Sequence, residues 1–126
     1  DTARPILEAL SQKYPLVLVS NFYGNIESVL KDFHLDSYFQ SIVESAVVGI
    51  RKPDPAIFGL GVKELSLPAE EIVVIGDSYD KDIVPATTIG CQTIWLKSIG
   101  WSDYEGNETA DLVITDFPEL EKAFAL

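Results

Sequence analysis

Apolar positions along the chain alternate between helical and strand-like spacing. Residues 3–13 place Ile6, Leu7 and Leu10 at helical spacing, with Asp1 or Thr2 as cap and Pro5 tolerated near the start. The run Leu16–Ser20 (LVLVS) is short, continuous and apolar up to its polar end, which predicts a buried strand. Helical spacing returns over 24–34 through Ile26, Val29, Leu30 and Phe33, and Ile42–Val48 is a second strand-like run. After the turn 49–55 (GIRKPDP), Asp54 and Pro55 predict a helix running to about Leu65, because the carboxylate caps free amides and proline suits the first helical position.

The second half repeats the alternation. Ile72–Ile75 stops at Gly76-Asp77-Ser78, a helix follows from Asp80 to Ile89, and Gly90 closes it. Pro85 lies near the first turns of that helix and is expected to shorten or bend it. Thr93–Leu96 reads as a strand, Asp111–Ile114 as a weaker one and 116–125 as a short helix; the polar loop 97–110 holds Trp101 and Tyr104, which read as loop anchors in preference to a lining of the site's mouth. Strands alternating with helices imply crossover connections, hence an α/β fold with a mainly parallel sheet and helices on both faces.

In such sheets ligands bind beyond the carboxyl ends of the strands. The first strand delivers Ser20 and Asn21 there, the segment after the second delivers Lys52, and the third delivers Asp77 and Ser78 with Asp80 and Asp82 close behind. Singly, each has an ordinary role as a helix cap, a solvated side chain or a dipole partner. Together they are complementary. Paired carboxylates suit Mg²⁺, which keeps waters and binds through one or two carboxylates plus substrate phosphate, while a hydroxyl, amides and a lysine meet the remaining phosphate oxygens. The set describes phosphoryl transfer without its nucleophile.

In this order, LVLVSN, RKPDPAIF and IVVIGDSYDKDIVPA resemble the second, third and fourth motifs of the haloacid dehalogenase-like (HAD) hydrolases, over nearly the whole chain. The resemblance implies a three-layer, Rossmann-like core. It also implies that Ser20 holds the transferred phosphoryl group with help from Asn21, and that Lys52 neutralises charge on nucleophile and phosphate. Asp77 and Asp82 hold Mg²⁺ on this reading, Asp77 as direct ligand and Asp82 in support; Lys52 and Asp77 are the catalytic pair. Asp80 receives no role. An acid at Asp77, where the family's dehalogenases tend to carry a neutral residue, favours a phosphatase of small-molecule phosphomonoesters over carbon–halogen hydrolysis.

The first motif of that family, an Asp-x-Asp stretch closing an apolar strand, has no counterpart among the 126 residues. The expectation is therefore a partial core domain over 1–126, without the cap domain and without the central nucleophile strand that lies between the strands of Ser20 and Asp77. Neighbouring strands stand about 4.8 Å apart, so that omission leaves a gap near ~10 Å with unpaired backbone on both sides. Either another segment, a homo-oligomer or strand exchange fills it, or the two halves close up. The alternatives are a non-catalytic fragment or binding module of the same fold, and a dehalogenase-type hydrolase. A receiver-type phosphoacceptor is disfavoured by the order Ser20, Lys52, Asp77, since its acids come first and its lysine last.

Composition narrows the classes further. Twenty acidic against nine basic residues give a net charge of −11, which repels nucleic acid and anionic membranes. The longest apolar stretches fall far short of a bilayer span and no signal pattern opens the chain, so a cytoplasmic location is expected. The single Cys91 reads as a buried filler and His34 as a surface residue at a helix end. No methionine is present and Asp1 comes first, which reads as a piece of a longer polypeptide.

Overall fold

The computed structural model describes residues 3–21, 26–32, 34–97 and 110–125. Trp101 and Tyr104, Phe33 and the expected helix start at 24–25 lie outside the described residues. In chain order the elements are α1 (Ala3–Lys13), β1 (Val17–Ser20), α2 (Ile26–Asp32), β2 (Ser41–Glu44), α3 (Ser45–Val48) and α4 (Pro55–Leu65). They continue with β3 (Val73–Gly76), α5 (Val84–Thr88), β4 (Gln92–Leu96), β5 (Leu112–Ile114) and α6 (Leu120–Ala123). Every ladder is parallel: β1 with β2, β3 with β4, and β4 with β5.

Side-chain alternation on β3 distributes the core to both faces. Val73 and Ile75 join Ile94 of β4 and Ile114 of β5 beneath Ile6 and Leu10 of α1 and Leu120 of α6. Val74, on the opposite face, packs with Val17 and Val19 of β1 and with Ile57 and Phe58 of α4. Ala86 of α5 closes that face with Ile72 and the buried Cys91, whose thiol burial shifts toward the protonated form. The result is the expected layering of helices on both faces of parallel strands.

The strands form two sheets, β1-β2 and β3-β4-β5. Among the described residues β1 and β3 share no ladder. Val17, Leu18 and Val19 line the same cavity of about 440 Å³ as Val73, Val74 and Ile75, and the rest of its wall is largely aliphatic and aromatic.

Two elements differ from the pattern-based reading. The run Ile42–Val48 is a strand only to Glu44, opposite the last residue of β1, Ser20, and Ser45–Val48 coils into α3 before Gly49 turns out at φ +78°. The helix expected from Asp80 is first a π-helical turn, Tyr79–Ile83, and only then α5. Pro85 has no N–H to return to the preceding turn, and the wide turn, with the amides of Asp82 and Ile83 both donating to the Ser78 carbonyl, leaves room for its ring.

Candidate active site

Two strand ends and two turns bring the polar residues to a common rim. Ser20 ends β1, half-buried, and Asn21 follows it. Lys52 sits in the turn before α4, which Asp54 starts by accepting a hydrogen bond from the Ala56 amide at 3.0 Å. Asp77 directly follows β3, and Asp82 lies on the π-helical turn behind it. Short strands that end in register place these groups at one edge, as parallel α/β sheets do.

At the centre of the rim, Lys52 Nζ lies 2.6 Å from Asp82 Oδ1, with only 16% and 7% of the two side chains exposed. The other Asp82 oxygen, Oδ2, accepts the Ser78 amide at 3.2 Å. The lysine stem runs past Phe58, whose ring centre is 5.6 Å from the ammonium. Lys52 and Asp82 are also the only charged side chains on the described wall of the cavity between β1 and β3.

Asn21 reaches the same lysine from the β1 side. Its Oδ1 accepts the Lys52 N–H at 2.8 Å and its Nδ2 donates to the Lys52 carbonyl at 3.2 Å. The structure thus links Asn21, Lys52, Asp82 and Ser78 in one bonded series, with Ser20 beside it in sequence. Asp77 stands exposed next to Gly76 and Ser78, while Asp80 is exposed on the π-helical turn.

Two contributors escaped the motif reading. Gly76 gives Asp82 its place, since a Cβ there would lie 2.4 Å from Asp82 Cβ and 2.6 Å from its Oδ2. The G-D-S step hinted at it, because a glycine closing a strand often marks a close approach. Trp95, fully buried at the matching level of β4, donates its indole N–H to the Asp77 carbonyl at 3.3 Å and tilts against Tyr79. Nothing in its apolar run distinguished it from core packing.

The donor set suits a hard cation only as part of a shared site. Asp77 offers an exposed carboxylate and Asp82 a buried one already oriented by Ser78 and Lys52. Among the described residues no group of three or more His, Cys, Asp or Glu side chains could hold a metal. Such a pair fits Mg²⁺, which completes its octahedron with waters and phosphate oxygens, rather than an ion needing an all-protein cage.

The family model of haloacid dehalogenase-like hydrolases matches residues 1–90. A glyceraldehyde 3-phosphate phosphatase from Pyrococcus furiosus is 35% identical over 96 residues, which are 75% of this chain and 40% of that protein. Among solved structures, a HAD phosphatase from Thermococcus onnurineus superposes with a TM-score of 0.86 at 30% identity, over 95% of this chain and 55% of that one. The HAD hydrolase YfnB from Bacillus subtilis, bound to magnesium, gives 0.81 at 25% identity over 100% of this chain and 55% of that one. The chain therefore spans about half the length of these relatives or less.

Proposed function

The chain belongs to the haloacid dehalogenase-like hydrolases, and from that premise we propose that it supplies the phosphate- and metal-binding rim of a Mg²⁺-dependent phosphatase of small-molecule phosphomonoesters. One observation carries the reading. The pair Lys52–Asp82 provides the only charged groups on the described wall of an otherwise apolar cavity, and that cavity separates the strand ending in Ser20 from the strand leading to Asp77.

Ser20 and Lys52 bind the oxygens of the phosphoryl group on this reading. The ammonium, already held by Asp82 on one side, turns its remaining donors to the charge that spreads over those oxygens during transfer. Asp77 and Asp82 hold Mg²⁺, which when bound neutralises phosphoryl charge. The magnesium bound to the Bacillus subtilis relative supports the choice of ion.

The nucleophile is a carboxylate from outside these 126 residues, carried on a strand that pairs with β1 and β3. Its oxygen forms the new bond to phosphorus as the ester P–O bond breaks, the second acid of the Asp-x-Asp stretch gives its proton to the leaving alkoxide, and water then cleaves the acyl phosphate to release phosphate and the free carboxylate. A separate segment provides that strand.

Hydrolysis of an aryl phosphate with Mg²⁺ tests the proposal. The chain alone is expected to be inactive, and addition of an apolar strand ending in Asp-x-Asp, as a peptide or a fused segment, is expected to produce turnover that Lys52→Ala abolishes. Lys52-dependent turnover by the chain alone would overturn it.

A further inference from the structure

We propose that Asn21 is a positioning residue that sets where the Lys52 ammonium stands, acting through the Lys52 peptide group. The significance of that position rests on the phosphate role given to Lys52 above; the positioning itself rests on geometry.

The turn that carries Lys52 belongs to no ladder, so its backbone N–H and C=O need partners from elsewhere. Asn21 satisfies both at once, accepting at 2.8 Å and donating at 3.2 Å. Only a carboxamide can do this from one side chain. A carboxylate of the same shape accepts but cannot donate, and would face the Lys52 carbonyl with charge of the same sign; a serine hydroxyl is too short to span both groups.

The location adds to the argument. Asn21 immediately follows β1, whose ladder with β2 fixes its backbone, while Asp82 follows β3 in the other sheet. Lys52 is thus gripped at its backbone from one sheet and at its ammonium from the other. Asn21 and Lys52 are 31 positions apart in sequence, so the grip is tertiary and is not a product of the local turn.

Competitive acetylation of the intact chain with acetic anhydride, read by peptide mass spectrometry, tests the assignment, with exposed Lys63 and Lys122 as internal references. Asn21→Ala and Asn21→Asp are each expected to raise Lys52 labelling several-fold toward the level of Asp82→Asn, with the references unchanged. Asn21→Asp keeps the acceptor for the Lys52 N–H, so it carries the test if the alanine variant does not fold. Unchanged Lys52 labelling in a folded variant would overturn the proposal. Protection of Lys52 by inorganic phosphate in the parent chain is a separate readout: its loss would count against the phosphate role of Lys52 and leave the role of Asn21 standing.

Discussion

Asp82 lies so close over Gly76 that any side chain at that glycine would meet its Cβ at 2.4 Å. The clash is with the root of a buried side chain held at both oxygens, not with a movable tip. Gly76→Ala should therefore destabilise the chain by about 2–3 kcal/mol, as overpacking of a close-packed site does. Urea denaturation measures the loss, and acetylation of Lys52 should rise because Asp82 has been pushed from it.

Removing one partner of the Lys52–Asp82 pair leaves a charge in a place where little water reaches it. Lys52→Met and Asp82→Leu should each cost about 3 kcal/mol, and the double variant should cost less than either, because an apolar pair in an apolar wall carries no unpaired charge. A double-mutant cycle in urea gives the coupling directly. Additive losses would mean that the two side chains do not interact in solution.

Glu119 closes the turn before α6, accepting the amides of Thr115 at 2.7 Å and Asp116 at 3.0 Å while its own amide donates to Asp116. These backbone bonds hold its carboxyl below the ordinary value of 4.5. A depressed value means the stabilisation is complete above 4.5 and is lost as the pH falls through the lower, folded-state value. The stability difference between the parent and Glu119→Gln should accordingly be constant near neutrality and shrink in acid. Thermal melts of both proteins across that range check it.

The local features were legible because their causes are local. The Asp54-Pro55 start of α4 is read from neighbouring residues, and the structure places both the cap and the helix end, Leu65, where the pattern predicts. The end of β2 is not legible in the run itself, because Val47 and Val48 suit a strand intrinsically, while the ladder with β1 closes at Ser20 and Glu44. The π-helical turn before Pro85 was foreseen as a disturbance but not in kind. At the rim, residue types and order pointed to Ser20, Lys52, Asp77 and Asp82, yet the Asn21 grip on Lys52 and the indole of Trp95 behind Asp77 depend on chain segments that meet only in the folded protein.

Whether the apolar cavity between β1 and β3 receives a strand is read from amide hydrogen exchange. In a parallel ladder successive amides of a strand point to opposite neighbours. In the monomeric chain, the amides of Val17–Ser20 and Val73–Gly76 that turn away from β2 and β4 should exchange fast, and the supplied Asp-x-Asp strand should protect them in both segments together. Uniform protection of every amide in both strands, in the monomer and before any strand is added, would contradict the account.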